Sequence, residues 1–162
     1  MTTLTLHAQP YDTSARGFYF TSYEEYHEKF THNLPVEEYE IQFIDGTDEE
    51  LALSKIIDLT QCTIEEFFDR CDEDYNEEEL IAIDYLVNNV GYSVEQAFDR
   101  FGEVQIYNGN INDWAYDQAE AYGLEGFALQ YFDEAAFVND CTCNGDIVEL
   151  DYQIYVTNAN EF

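Results

Sequence analysis

Carboxylates are the most abundant side chains in this sequence that could take part in catalysis or binding, and they are densest between Glu65 and Glu79. Nine of these fifteen residues are Asp or Glu. Paired carboxylates can act as general acid and general base, but this chemistry needs two environments that separate the two pKa values. Nothing in the sequence singles out one such pair among the 36 acidic residues. The pattern therefore does not indicate acid–base catalysis.

The segment Asp72, Asp74, Asn76 imitates the start of a calcium-binding loop. Such a loop needs glycine at its sixth position for a sharp turn and a bidentate glutamate at its twelfth. This sequence has Glu77 and Ile83 at those positions. The three histidines and four cysteines also lack the spacing of a zinc site. We therefore expect no metal ion and no other cofactor.

Motifs for nucleotide binding and for an activated nucleophile are missing from the sequence. It contains no G-x-x-x-x-G-K-[ST], G-x-G-x-x-G or G-x-S-x-G. The five basic residues are too scattered to clamp a phosphate, and we expect them to pair with nearby carboxylates. We predict that the protein is not an enzyme. The basic residues are Arg16, Lys29, Lys55, Arg70 and Arg100.

The composition combines a globular interior with an extreme negative charge. Apolar residues make up 46% of the chain and aromatic residues 17%, which argues against a disordered acidic tail. The net charge of −31 disfavours nucleic acid and anionic membranes as partners and favours proteins with clustered Lys and Arg. Without a leader or an apolar run of about eighteen residues, and with cysteines expected to be free thiols, the sequence predicts a cytoplasmic protein.

Residues 1–47 are predicted to form an N-terminal α/β subdomain. Alternation of apolar and polar residues predicts strands over 3–8 and 39–45, and the run of residues 17–20 after a turn around residues 10–14 predicts a further strand. Ser22 and Glu25 have the spacing of a capping box, which predicts a helix over 23–32. The expected result is a three-stranded sheet with one helix against it.

Residues 48–102 are predicted to form a central acidic helical subdomain, because the apolar period changes to 3.6. A short helix is expected around residues 48–57. Three further helices are predicted to begin at capping boxes. The boxes are Thr63 with Glu66, Asn76 with Glu79, and Ser93 with Gln96.

Residues 103–162 are predicted to form a C-terminal α+β subdomain. Strands are expected over 104–107 and, from a long alternating run, over 148–156. Helices are expected over 112–122 and 133–141. The whole chain is thus predicted to be an α+β protein of three small subdomains.

The acidic residues are predicted to imitate the phosphates of DNA. A run of charge is usually only a solvated helix face, but ordinary faces mix Lys with Glu because like charges at helical spacing repel. Here the cations are missing. Duplex DNA carries one charge per roughly 1.7 Å of axis, so 36 carboxylates equal the charge of roughly 60 Å, or about 18 base pairs. The candidate phosphate mimics are Glu37, Glu38, Asp48, Glu49, Glu50, Glu65, Glu66, Asp69, Asp72, Glu73, Asp74, Glu77 and Glu78.

Five short segments follow one another in a set order along nearly the whole chain. They are residues 15–20 (ARGFYF), 41–46 (IQFIDG), 64–68 (IEEFF), 131–137 (YFDEAAF) and 145–150 (GDIVEL). In this order, and with this charge, the chain resembles the ArdA antirestriction proteins, which mobile elements and phages carry.

The resemblance implies an elongated, three-part α+β protein that imitates a long, bent B-DNA and forms a homodimer through its C-terminal part. Such proteins inhibit type I restriction–modification enzymes by filling the DNA cleft, without cofactor or turnover. The short antirestriction motif of the family falls within residues 121–136, near the expected dimer contact. The expected apolar anchors of that contact are Tyr122, Leu124, Phe127, Leu129, Tyr131 and Phe132.

Two alternative functions remain open from the sequence. The first is a DNA mimic directed at another DNA-binding target, such as a CRISPR effector or a nucleoid protein. The second is a non-mimetic acidic protein-binding module or salt-adapted domain, whose charge only keeps it soluble.

Overall fold

The computed structural model describes residues 3–32 and 36–162 of the chain. It contains helices and two antiparallel sheets, which confirms the predicted α+β class. The chain divides into two compact units, Met1–Asn88 and Asn89–Phe162. The boundaries predicted after residues 47 and 102 fall inside these units, so the division into three subdomains stays a prediction. No helix among the described residues has both the length and the apolar character that a membrane crossing needs.

The first unit begins with the predicted three-stranded sheet. Its strands are β1 (Thr5–Pro10), β2 (Phe18–Phe20) and β3 (Tyr39–Asp45), in the order β2-β1-β3 with antiparallel neighbours. Leu6 and Phe20 lie opposite each other on the buried face. The alternation seen in the sequence thus corresponds to one buried face of the sheet.

Helix α1 (Tyr23–His32) covers this sheet through its aromatic side chains. The ring of Tyr26 lies 5.0 Å from that of Phe20. The Ser22 hydroxyl accepts a hydrogen bond from the Glu25 amide at 3.2 Å, as the predicted capping box requires. The Glu25 carboxylate does not return to Ser22; it accepts from the Thr21 amide at 2.8 Å and pairs with Lys29 at 2.6 Å. The box is therefore only half formed.

Three short helices complete the first unit: α2 (Asp48–Ile56), α3 (Ile64–Cys71) and α4 (Glu77–Asp84). The chain continues from α4 into a π-helical segment, Tyr85–Val90. Helix α2 packs against both α3 and α4. Their shared core is apolar and fully removed from water, which favours folding in proportion to the buried apolar area. It is built from Leu53, Ile56, Ile64, Phe67, Leu80, Ile83 and Leu86.

The prediction of a capping box at Thr63 is wrong. The Thr63 side chain makes no cap hydrogen bond to α3; its hydroxyl donates to the Asp58 carbonyl at 3.0 Å and accepts from the Thr60 amide at 2.9 Å. These bonds hold the loop between α2 and α3, so the hydroxyl is occupied before the helix begins. The boxes predicted at Asn76–Glu79 and Ser93–Gln96 are both formed, and a further box joins Thr47 to Glu50.

The second unit combines helices with a smaller antiparallel sheet. Its helices are α5 (Val94–Arg100), α6 (Ile111–Ala121), α7 (Gly126–Gln130) and α8 (Glu134–Asn144). Its strands are β4 (Ile106–Asn108), β5 (Val148–Asp151) and β6 (Ile154–Val156), in the order β4-β6-β5. The short helix α7 lies in a segment for which the sequence predicted no element.

The single strand predicted over residues 148–156 is wrong, because this segment is the hairpin β5–β6. The chain reverses at Tyr152 and Gln153, and Gln153 has a φ of 58°. Val148 pairs with Val156, and a register shift lies between Glu149 and Asp151. Up to that shift even-numbered residues of the two arms lie opposite each other, and beyond it Asp151 pairs with Ile154. Each arm by itself keeps the alternation of a strand, which is why the sequence pattern is the same as that of one long strand.

Candidate partner-binding surface

The thirteen candidate carboxylates all lie in the first unit, on the segment before β3, on helices α2, α3 and α4, and in the turn between α3 and α4. Eleven are exposed, and the remaining two, Glu50 and Glu66, are half-buried. None is enclosed in the core. We call this set the acidic surface. Its members occupy helix starts, one helix face and one turn, which are positions that the backbone holds in place.

Helix α1 approaches the acidic surface at the first turns of α3. Glu65 and Asp69 are one turn apart on α3, and both lie close to the Tyr23 hydroxyl of α1. Removal from water, the charge and hydrogen bond of Glu65, and the charge of Asp69 raise the pKa of Tyr23. The tyrosine therefore stays protonated and can donate to Glu65.

The carboxylates of α2 and α3 also come together around Cys71. Burial raises the pKa of the Cys71 thiol to about 12, and the charges of Glu50 and Asp72 add to this effect. Glu50 belongs to the first turn of α2, whereas Asp72 follows the end of α3. Packing of α2 on α3 thus joins two parts of the acidic surface that are 22 residues apart in the chain.

The starts of α2 and α4 each present a pair of unengaged carboxylates. Asp48 and Glu49 are exposed in the first turn of α2, and Glu77 and Glu78 are exposed in the first turn of α4. The partial positive charge at a helix N-terminus stabilises them there. The next acidic residue in each helix, Glu50 or Glu79, uses its carboxylate to accept a hydrogen bond from the N-cap amide as part of the capping box. Two charges per helix start are therefore free to face a partner.

Glu37 and Glu38 are the members of the acidic surface that lie outside the helices and the α3–α4 turn. They precede β3, and the Glu38 carbonyl accepts a hydrogen bond from the Tyr11 amide at 3.3 Å. This hydrogen bond ties their segment to the loop after β1.

Basic residues are few and are mostly paired with carboxylates close to them in the chain. Lys29 pairs with Glu25 at 2.6 Å, Arg70 with Glu73 at 3.6 Å and Arg100 with Glu103 at 2.6 Å. These partners are three or four residues apart, which confirms the predicted local pairing for these three cations. Arg16 and Lys55 are exposed and form no salt bridge with any described residue.

Arg70 and Tyr75 form a polar cluster with Glu73 between α3 and α4. The Tyr75 hydroxyl donates to Glu73 Oε2, and the Arg70 side chain hydrogen-bonds the same hydroxyl. Burial raises the pKa of Tyr75 to about 12, with Glu73 adding to the rise. Helix α3 ends at Cys71, so Tyr75 lies in the turn that follows it. The sequence predicted a nearby carboxylate partner for Arg70, whereas no spacing rule indicates the tyrosine.

Two exposed carboxylates of α1 were not among the predicted residues. Glu24 and Glu28 are exposed on α1, which packs against α3. Their i, i+4 spacing opposite the aromatic face of α1 was the available signal. Among residues 3–32 and 36–162, no cluster of three or more His, Cys, Asp or Glu side chains has an arrangement that could hold a metal ion.

The expected dimer anchors lie on and around α7 in the second unit. Tyr122, Phe127 and Tyr131 are 78%, 75% and 70% exposed, although large aromatic side chains are usually covered. The rings of Phe127 and Tyr131 lie 4.4 Å apart, so they form one continuous apolar projection. Leu124, Leu129 and Phe132 are half-buried, and Phe132 connects this segment to Phe137 of α8 at 5.6 Å.

Comparisons of the chain with protein-family models, with curated proteins and with solved structures found no match. The acidic surface and the exposed aromatic segment are therefore interpreted from their own chemistry.

Proposed function

We propose that this protein is a DNA mimic of the ArdA antirestriction type, which occupies the DNA-binding cleft of a type I restriction–modification enzyme. Carboxylates of the acidic surface take the places of backbone phosphates and contact the Lys and Arg residues of the cleft. The protein acts by binding alone, in the cytoplasm of a bacterial host, with no catalytic turnover.

The observation that supports the proposal most strongly is the exposed acidic surface, whose carboxylates are carried mainly by helices and a turn and are accompanied by almost no cations. Between Lys55 and Arg100 the sequence contains one basic residue, Arg70, and that residue is paired with Glu73. An ordinary soluble surface mixes both signs, since unrelieved like charge destabilises the fold. The uncompensated negative charge of this surface is explained if the negative field itself is what a partner recognises.

The energetics of such contacts are those of DNA binding. Individual exposed ion pairs contribute only about 0.2–1 kcal/mol each. Many of them, acting together with the release of counterions, give affinities that fall steeply as salt rises. The negative field also steers encounter with a basic cleft, which raises the association rate.

We also propose that two copies associate through the exposed aromatic segment around α7. Burying Tyr122, Phe127 and Tyr131 against a second copy would remove a large apolar area from water, which favours association. In a symmetric pair each residue contributes twice. A dimer would double the number of carboxylates presented to one partner.

The decisive experiment compares two variants that carry the same net charge. In the first, Glu65, Asp69, Asp72, Asp74 and Glu78 are replaced by the corresponding amides, which changes the net charge from −31 to −26. We expect this variant to compete with fluorescent duplex DNA for a purified type I restriction–modification enzyme at least about fivefold more weakly than the native protein. Five lost ion pairs correspond to about 1–5 kcal/mol. The dependence of its affinity on salt should also be shallower.

The matched control replaces five exposed acidic residues of the second unit by amides: Asp99, Asp113, Asp117, Glu120 and Asp140. It has the same net charge, and we expect it to compete nearly as well as the native protein. Equal weakening of both variants would show that only net charge matters, and the acidic surface would not be the binding site. If native protein does not displace DNA at low salt, DNA mimicry toward this class of enzyme is wrong, and displacement from other DNA-binding proteins tests the alternative target.

A further inference from the structure

One basic residue stands in the middle of the acidic surface, where a polyanion mimic would be expected to have none. Arg70 lies on the last turn of α3, and its side chain is 25% exposed, whereas that of its partner Glu73 is 55% exposed. The positive charge of Arg70 offsets one negative charge of the acidic surface. A purely electrostatic account of the surface therefore predicts that the protein would bind a basic cleft better without it.

The contacts of Arg70 indicate why it is present. Its guanidinium approaches Glu73 at 3.6 Å and hydrogen-bonds the Tyr75 hydroxyl, which itself donates to Glu73. Glu73 and Tyr75 lie within residues 72–76, the turn that joins α3 to α4, and Arg70 ties both of them to the last turn of α3. A planar guanidinium can hold two partners at once in fixed geometry, which an ammonium does less well.

The turn carries a large share of the acidic surface. Asp72, Glu73 and Asp74 lie in it, and Glu77 and Glu78 follow at the start of α4. The three turn carboxylates are exposed and repel one another, so an unrestrained turn would spread them apart. A phosphate mimic works only when its charges keep the spacing of the groups they replace, because ordering them on binding would reduce affinity.

We propose that Arg70 and Tyr75 are positioning residues, which hold the α3–α4 turn so that the carboxylates on and beside it keep a fixed arrangement toward a partner. This inference rests on the proposed function for its effect on binding. Its effect on the turn is independent of any partner.

The test uses three variants of the full chain. Arg70→Gln makes the protein more negative, Arg70→Lys keeps the charge but lacks the planar fork, and Tyr75→Phe keeps the ring and the charge but lacks the hydroxyl. We expect each variant to displace fluorescent duplex DNA from a purified type I restriction–modification enzyme about threefold to tenfold more weakly than the native protein. Of the three, Arg70→Gln should be the weakest competitor. In a titration, we expect the dissociation constant to rise at unchanged stoichiometry. A variant that merely folds poorly would lower the stoichiometry.

Lys55→Gln is the matched control, since it also removes one cation from the first unit, and Lys55 is exposed and forms no salt bridge with a described residue. We expect it to bind as well as the native protein or slightly better. If Arg70→Gln likewise binds equally well or better, charge alone governs the surface and the positioning role is wrong, while the proposed function stands.

Hydrogen exchange of the free protein gives a readout without a partner. The amides of Asp72 and Glu73 are bonded to the carbonyls of Phe68 and Arg70, both at 3.2 Å. We expect faster exchange at residues 72–76 in Arg70→Gln and Tyr75→Phe, and unchanged exchange in β1. Unchanged exchange at the turn would overturn the inference. If native protein fails to displace DNA, the proposed function is wrong, and the exchange data still decide whether the cluster holds the turn.

Discussion

At the scale of single residues, neighbouring carboxylates change the chemistry of the few other polar side chains. Tyr23, Tyr75 and Cys71 each lie beside acidic groups, and their pKa values are raised by burial first and by these charges second. Each group is therefore kept neutral at physiological pH. The tyrosines remain hydrogen-bond donors to carboxylates, and the cysteine remains an unreactive thiol.

The thiol of Cys71 should react far more slowly than an exposed cysteine. Its pKa is raised from 9.0 to about 12, so its thiolate fraction at pH 8 falls roughly a thousandfold, at about tenfold per pKa unit. Ellman's reagent at pH 8 should label the exposed Cys62 and Cys143 first, with Cys71 labelled last. Because the raised pKa keeps most of the Cys71 thiol protonated, the labelling rate of Cys71 should keep increasing as pH rises above 9. Labelling of Cys71 as fast as Cys62, identified by peptide mapping, would contradict its burial.

At the scale of elements, the acidic surface depends on how its short helices begin. Helices of eight or nine residues are marginal by themselves, so each needs its end groups satisfied. Boxes at Thr47–Glu50 and Asn76–Glu79 do this for α2 and α4. They also fix the backbone of the first turns, from which the free carboxylates project.

The cap of α4 should contribute measurably to stability. The Asn76 side chain accepts the Glu79 amide at 3.0 Å, and Asn76→Ala leaves that amide without its partner. We expect a loss of about 1 kcal/mol in the free energy of unfolding, measured by urea denaturation. Asn139→Ala, an exposed position inside α8, is the control and should cost nothing or stabilise slightly, because alanine favours helix. Equal losses in both variants would mean that the cap carries no special weight.

At the scale of the whole molecule, the two units carry different features. The first unit holds all thirteen residues of the acidic surface, and the second holds the exposed aromatic segment around α7. An exposed apolar patch of this kind typically marks an interaction site. In the proposed function, charge for a partner and apolar area for a second copy are thus on separate units.

Association of two copies should depend on the aromatic segment. In sedimentation velocity over a range of concentrations, we expect native protein to dimerise and Phe127→Ser with Tyr131→Ser to sediment as a monomer. Each buried aromatic side chain favours association by about 1.5–3 kcal/mol and counts twice in a symmetric pair. Tyr152→Ser is the control, because Tyr152 is 81% exposed at the β5–β6 turn, away from this segment in the chain. Monomeric native protein, or an unchanged dimer in the double variant, would contradict the proposal.

The local structure of this chain was largely determined by its sequence alone. Alternation predicted β1, β2 and β3, apolar periodicity predicted α1 to α4, and the boxes at Asn76 and Ser93 predicted their helix starts. Exposure of the acidic residues was also predictable, since an unpaired carboxylate is too costly to bury. These features depend on residues within about one turn or one strand of each other.

Tertiary structure decided those contacts that join residues far apart in the chain, or for which several nearby groups compete. The Thr63 hydroxyl is taken by the loop before α3, and the run 148–156 reverses at Tyr152 and Gln153 so that its two halves pair with each other. Packing of α2 on α3 brings Glu50 and Asp72 to the same thiol. The Tyr75 hydroxyl reaches Glu73 through a turn. Periodicity carries no information about such contacts, because each is set by three-dimensional proximity and not by spacing along the chain.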